Sequence, residues 1–252
     1  MQFRDLALVL RRTPYRDTSL VIHYLARDRG VQSVVARGIR TRKGAERATL
    51  AGFHTVNLLG VSRQSQTMGT LTQAEIIRGR HHLREVPLAM VAAQVIQEII
   101  YRSIPPGAPH PEYFDQVETI LDQLDTDQDP LGILAFFQGV TLRETGYGWR
   151  TDICVGCATD TQLAYYSVRQ AQTVCQACGA PHADHLFSLN AAERQAMTTL
   201  NWSDHFVPLT PAERLNLFRI GSACLKRFGG HALNAELHFY HLLGQSASPD
   251  NQ

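Results

Sequence analysis

Short apolar runs broken by polar punctuation fill the first third of the chain, and longer apolar stripes at helical spacing fill the rest. Residues 6–10, 19–25, 31–36, 53–59 and 68–77 are brief stretches rich in Leu, Val, Ile and Thr, and each predicts a strand. Thr13-Pro14-Tyr15-Arg16-Asp17 reads as the turn after the first strand. Arg27-Asp28-Arg29-Gly30 reads as a hairpin turn, with Gly30 supplying a positive φ. A basic loop, residues 37–44, follows the third strand. Five short strands in so few residues suit a small barrel. The OB-fold is the common five-stranded barrel that binds single strands, but strand count does not select it.

After Arg80 the period changes. Val86-Pro87 opens a predicted helix running to about Arg102, with Val91, Val95, Ile96, Ile99 and Ile100 at helical spacing. Pro105-Pro106-Gly107 breaks it. A second helix carries Phe114, Val117, Ile120, Leu121 and Leu124 on one side, and Asp129-Pro130 caps a third from Leu131 to about Thr145. Residues 146–187 form a cysteine-bearing insert. Helical patterns return at 190–200, 211–228 and 233–243. Thr210-Pro211-Ala212-Glu213 has the order of an N-cap, an N1 proline and an N3 glutamate, and Gly229-Gly230 ends that helix. These apolar stripes are expected to be core. The chain thus reads as multi-domain α+β: a barrel over residues 1–80, then a helical domain over 81–252 with the insert at 146–187.

Composition narrows the class. The 252 residues are 44% apolar and 19% charged, which excludes a disordered chain and a coiled coil. No stretch free of Asp, Glu, Lys and Arg reaches the length of a membrane-spanning helix. The run at 6–10, followed by Arg11-Arg12, is too short and wrongly flanked for a secretory signal, so a cytoplasmic protein is expected. The formal net charge of +1 conceals an asymmetry. Residues 1–80 carry 14 cations, 13 of them Arg, against 5 acids, a net +9; residues 81–252 carry a net −8. Arginine grips phosphate through two parallel hydrogen bonds and stacks on bases, so the basic segment reads as a nucleic-acid-binding module rather than a solubilising face.

Cys154-Val-Gly-Cys157 and Cys175-Gln-Ala-Cys178 are two C-x-x-C pairs at zinc-ribbon separation. Two knuckles, each presenting two sulfurs to one point, complete a tetrahedron, and Gly156 and Gly179 let the backbone pass closely beneath them. Four thiolates leave no open position, so a zinc held by all four is structural. Four thiolates also suit an iron–sulfur cluster, and either pair alone a redox disulfide. His182 and His185 follow closely as possible substitute ligands, and Cys224 reads as a buried small apolar residue. His110-Pro111-Glu112 satisfies H-x-E, but Ile153 and Val174 precede the C-x-x-C pairs where a zinc deaminase has proline. No P-loop and no G-x-S-x-G elbow is present, and no enzyme is expected.

Residues 8–22 resemble the first hairpin of the bacterial RecO family, and Arg29-Gly-Val-Gln-Ser-Val-Val-Ala-Arg-Gly38 resembles its next strand and loop. Thr70-Leu-Thr-Gln-Ala-Glu-Ile-Ile77 resembles its last barrel strand, and Gly146-Tyr-Gly-Trp-Arg150 the approach to its zinc-binding insert. Ala158 departs from the pattern, where glycine is expected after the first knuckle. The resemblance spans nearly the whole chain. It implies an N-terminal OB-fold, a structural zinc and no covalent chemistry. It implies a DNA repair and recombination mediator, cytoplasmic and nucleoid-associated. Such a mediator binds single- and double-stranded DNA, anneals complementary strands and acts with RecR to help RecA displace single-strand binding protein. On that reading Arg11, Arg12, Arg16, Arg37, Arg40, Arg42, Lys43, Arg47 and Arg63 contact phosphates, with Tyr15, Tyr24 and Phe53 as candidate stacking rings, not all of them free of the core. Cys154, Cys157, Cys175 and Cys178 hold the metal, and the acidic helices serve partners and orient the barrel. The alternative from composition alone is a zinc-ribbon RNA-binding or transcription factor.

Overall fold

The computed structural model describes residues 1–41, 48–50, 52–62, 68–126, 129–202, 208–230 and 233–244. They form two compact units, Met1–Gln128 and Asp129–Gln252.

In the first unit, strands β1 (Gln2–Tyr15), β2 (Ser19–Ala26), β3 (Gly30–Ala36), β4 (Thr55–Val61) and β5 (Gly69–Arg78) close into a barrel in the order β1-β2-β3-β5-β4. β1 serves two neighbours, pairing with β4 through Gln2 to Leu8 and with β2 through Ala7 to Tyr15. A bulge between Val9 and Arg11 bends it. The parallel pairs Val34 with Gly69 and Val35 with Thr70 close the ring. This is the OB-fold topology. Alternating residues fill the interior: Ala7, Val9, Ile22, Tyr24, Ala26, Val34, Val56 and Leu58, joined by Ile39 and Leu50. Tyr24 lies in this core because its hydroxyl donates to buried Asp5 at 2.8 Å, and burial pushes the phenol well above its usual range. Gly30 has φ +67°, and a Cβ there would lie 1.8 Å from the Ala108 carbonyl oxygen.

The expected turn at Thr13 to Asp17 begins later. β1 continues through Pro14, which pairs with Leu20, to Tyr15. Beyond Leu8, β1 has only β2 beside it among the described residues, so a missing proline N–H breaks no ladder.

Helices α1 (Pro87–Ser103) and α2 (Pro111–Thr126) complete the first unit. α1 packs on β1 and β2, and Gln97 Nε2 donates to the Val9 carbonyl at 2.7 Å, satisfying the strand at its bulge. α2 buries the six residues Tyr113, Phe114, Val117, Ile120, Leu121 and Leu124 and turns its acids toward barrel cations.

The second unit is built on α3 (Pro130–Glu144), buried on nearly every face from Gly132 to Leu142. α4 (Ala191–Trp202), α5 (Pro211–Gly229) and α6 (Asn234–Leu242) accompany it. α5 begins with the expected capping box between Thr210 and Glu213 and ends on Gly230 at φ +71°. The insert contains a small sheet of β6 (Leu163–Ser167), β7 (Gln172–Cys175) and β8 (Phe187–Ser188), in the order β7-β6-β8. Among the described residues no helix is long and apolar enough to cross a membrane.

Candidate nucleic-acid interface and metal centre

Most of the barrel's described arginines fall into two groups; Arg4, exposed near the start of β1, donates to the Asn57 amide oxygen and belongs to neither. The first group is bound to carboxylates. Arg27 grips Asp115 of α2 with two hydrogen bonds, 2.8 and 2.7 Å. Arg29 pairs with Asp5, Nε to Oδ1 at 2.8 Å, while lying over the Phe3 ring. Arg78 bonds Asp122, and Arg80, 1% exposed, bonds Asp122 and Glu118. The carboxyl of Asp115 is held below its usual range by the hydrogen bond from Arg27. Much of the negative charge expected to serve partners is therefore spent inside the first unit: Asp115, Glu118 and Asp122 bind barrel arginines, and Asp125 accepts the Leu83 N–H at 2.8 Å.

The second group lies where β1 ends, β2 begins and β3 ends. Arg11, Arg12, Arg16, Arg37 and Arg40 are all exposed. The register places Tyr15 opposite Ser19 and Leu20 opposite Ala36, and the Arg40 N–H donates to the Thr18 carbonyl at 3.0 Å, so Arg16, Arg37 and Arg40 share one end of the barrel, with Arg12 and Arg11 farther along β1, opposite Ile22 and His23. Arg11, Arg16, Arg37 and Arg40 have no carboxylate partner among the described residues. Arg11 sits over the Tyr101 ring at 5.5 Å and Arg16 over Tyr15 at 5.2 Å. His23, beside Arg11 in register, bonds Ser33 at 2.8 Å and meets the edge of Tyr101. Burial, then Arg11, lowers its pKa, so it adds little charge there at neutral pH. His23 and Tyr101 had no signal in the sequence, because only the α1 contact brings them to this surface. Of the candidate stacking rings, Tyr24 (1% exposed) and Phe53 (8%) are core, which removes both from any interface; Tyr15 is half-exposed. Arg42, Lys43, Arg47 and Arg63 lie outside the described residues.

In the second unit, the Sγ atoms of Cys154, Cys157, Cys175 and Cys178 all lie within 4.8 Å of one another, with Cys157 and Cys175 at 3.7 Å. A tetrahedral zinc with Zn–S bonds of about 2.3 Å sets its sulfurs about 3.8 Å apart, so the donor set fits that ion. The two knuckles are built alike. The Gly156 N–H points to Cys154 Sγ at 3.3 Å, and the Cys178 N–H to Cys175 Sγ at 3.5 Å. Burial pushes the Cys154 thiol up, but backbone donors from Cys175, Cys157 and Gly156 outweigh it and bring it down to about 6. Such donors favour the thiolate that a metal requires. A Cβ on Gly156 would meet Cys178 Sγ at 3.2 Å, the expected close approach. Gly179 is small for a different reason: a Cβ there would fall 2.3 Å from the Tyr165 ring. His182 and His185 lie on an exposed 3₁₀ turn outside the sulfur cluster, and Cys224 is buried.

Ala158 has φ +59°, the left-handed conformation for which glycine is the natural residue. Ala158→Gly is expected to raise unit stability by about 1 kcal/mol and tighten metal retention several-fold. Thermal melts and chelator competition check this; an unchanged melting temperature would show the strain is absorbed elsewhere.

Comparison with known proteins agrees with both units. Residues 1–80 match the family described as Recombination protein O N terminal, and residues 84–235 match Recombination protein O C terminal. The chain is 28% identical over 189 residues to the DNA repair protein RecO of Rhizobium leguminosarum bv. trifolii (strain WSM2304), covering 75% of this chain and 73% of that protein. It is 34% identical over 149 residues to the DNA repair protein RecO of Paraburkholderia xenovorans (strain LB400), covering 58% of this chain and 48% of the relative. With both of its parts matched in order, the chain belongs to the RecO family of DNA repair and recombination proteins.

Proposed function

We propose that this chain is a non-enzymatic recombination mediator, cytoplasmic and nucleoid-associated, that binds single- and double-stranded DNA through the arginine-lined end of its barrel. It anneals complementary strands there. With RecR it assists loading of RecA onto DNA coated by single-strand binding protein. One zinc ion on Cys154, Cys157, Cys175 and Cys178 holds the insert together and, with all four positions taken by sulfur, takes no part in DNA chemistry.

The observation that carries this reading is the sorting of the arginines. Those near α2 are neutralised, while Arg11, Arg16, Arg37 and Arg40 are exposed with no carboxylate partner among the described residues, and Arg16, Arg37 and Arg40 lie at one end of the barrel. A cationic surface lowers the repulsion between two strands, so pairing proceeds without a nucleotide cofactor. Arg16 adds a second argument. It holds φ +53° in the β1–β2 turn, where an L-residue is strained by about 1 kcal/mol and glycine is not. Strain kept at an exposed arginine points to a use for its side chain.

Six phosphate contacts give a log K against log salt slope of about −4 for single strands. Charge reversal of Arg16, Arg37 and Arg40 together is expected to flatten the slope by about 2 and slow annealing of complementary oligonucleotides. Arg16→Gly alone is expected to stabilise the fold by about 1 kcal/mol while weakening binding. A triple variant with unchanged affinity and slope removes this end of the barrel from the function. Tighter binding of a matched RNA than of single-stranded DNA, with no annealing, favours the RNA-binding alternative.

A further inference from the structure

The second compact unit holds an exposed tyrosine ring, Tyr147, and it is fixed there by its backbone. α3 ends in a Schellman motif: Gly146, at φ +82°, donates to the Arg143 carbonyl at 3.0 Å, and the Tyr147 N–H donates to the Leu142 carbonyl at 2.7 Å. In that motif the residue after the glycine ordinarily tucks an apolar side chain against the helix. Tyr147 instead remains 44% exposed and stacks face to face on Phe228 of α5, with ring centroids 4.4 Å apart and planes inclined by 7°. By contrast, Trp149, Tyr166, Phe218, Phe239 and Tyr240 of this unit are each 3% exposed or less, and Tyr165 and Phe187 are half-buried.

The surroundings are open. A Cβ at Gly146, Gly229 or Gly230 would meet nothing within 4 Å, so no side chain walls off the rings at those positions. Arg227 and Lys226, in the last turn of α5 immediately before Phe228, are exposed. They also offset the negative end of the helix dipole, which would otherwise repel phosphate. A flat exposed ring, with cationic side chains in the helix turn that carries its backing ring, suits an unpaired base and its phosphate.

We propose that Tyr147, backed by Phe228 and with Arg227 in the same last turn of α5 as Phe228, is a base-stacking platform for single-stranded DNA carried by the second unit. This rests on the single-strand binding proposed above, and it gives the chain a second place to hold a strand, as annealing of two strands requires. The platform reads no sequence, since every base has a π-face. It has no role on duplex DNA, whose bases are already stacked.

The test is photocrosslinking of the intact, zinc-loaded protein to oligo(dT) carrying 5-iododeoxyuridine, with the modified residue mapped by mass spectrometry. The expected result is an adduct on Tyr147 that unlabelled oligo(dT) competes away. Tyr147→Leu is expected to weaken oligo(dT) binding at least about five-fold, with duplex affinity held within about two-fold and Tyr147→Trp restoring the loss. Arg227→Gln, which removes the charge from the last turn of α5 without placing an acid there, is expected to reduce the Tyr147 adduct by a similar factor. Adducts confined to the barrel, or a folded Tyr147→Leu variant that binds oligo(dT) like the parent, overturn the platform and leave the barrel reading intact. A parent protein that neither crosslinks nor binds oligo(dT) overturns both.

Discussion

Replacing Arg80 with leucine is expected to lower the stability of the first compact unit by about 3–5 kcal/mol. The guanidinium is 1% exposed, and its contacts use all three nitrogens. Nε donates to Asp122 at 2.7 Å, one terminal nitrogen to the Phe53 carbonyl at 2.9 Å and Thr55 Oγ1 at 3.0 Å, and the other to the Glu118 carbonyl at 3.2 Å and its carboxylate at 3.3 Å. Leucine would fill the volume but orphan the buried Phe53 carbonyl and Thr55 hydroxyl and leave Glu118, 14% exposed, without its cation, which is the costly half of breaking a buried ion pair. Lysine would keep the charge without the planar fork, and is expected to recover only part of the loss. Denaturant midpoints at unchanged m-value measure it; a loss under about 1 kcal/mol would show that water replaces the network. The same network sets a pH dependence. The Arg80 N–H donates to Nδ1 of His54 at 2.9 Å, which requires a neutral ring. Burial, then the neighbouring His81, Arg84 and Arg80, hold the His54 pKa below its ordinary value of 6.5. The unfolded chain therefore takes up the proton first. His54's contribution is complete above pH 6.5 and falls away as the pH drops below it. His54→Asn, which keeps an acceptor but cannot titrate, is expected to remove that part of the acid sensitivity.

Arg80 also marks where sequence reasoning stops. Strands β2 to β5 were legible because a half-buried strand writes its alternation locally, and α5 because Thr210, Glu213 and Gly230 cap it within a few residues. β6, β7 and β8 were not, since five, four and two residues are too few to establish a period. The overlong β1 was hidden by Pro14, which reads as a turn until its unpaired edge is known. The four cysteines were legible as a set because the constraint on a tetrahedral site is itself one of spacing. The fate of each arginine was not. Arg27 meets Asp115 across 88 residues and Arg80 meets Asp122 across 42, so which cations are neutralised depends on where α2 lands on the barrel. Net charge by segment shows an excess of cations in the first third of the chain; which of the described ones are bound to carboxylates is visible only in the fold.

Loss of the metal is expected to have the largest effect of all. In the double variant Cys175→Ser, Cys178→Ser, the insert loses two of four ligands. A structural zinc contributes on the order of 10 kcal/mol to a small metal-dependent fold, more than the core here supplies. That local core is small: Cys154, Leu163, Val174 and Cys175, with Val155, Tyr165, Cys178 and Leu186 packed against it. Two of its four buried members are therefore themselves proposed ligands, and without a metal the cysteines would meet as thiols or mutually repelling thiolates where packing should hold. The three-stranded sheet is fastened to the same point, since β7 ends on Cys175 and β6 begins opposite it at Leu163. The expected outcome is protein purified without zinc, with rapid hydrogen exchange across β6 to β8 and a lowered melting temperature for the second unit. The barrel has its own closed sheet and core, so its exchange protection and its salt-dependent DNA binding are expected to persist. Metal analysis and hydrogen exchange on the parent and the variant decide the matter. A freshly purified parent without stoichiometric zinc, or a variant whose insert remains protected, would mean that packing alone holds the four sulfurs together.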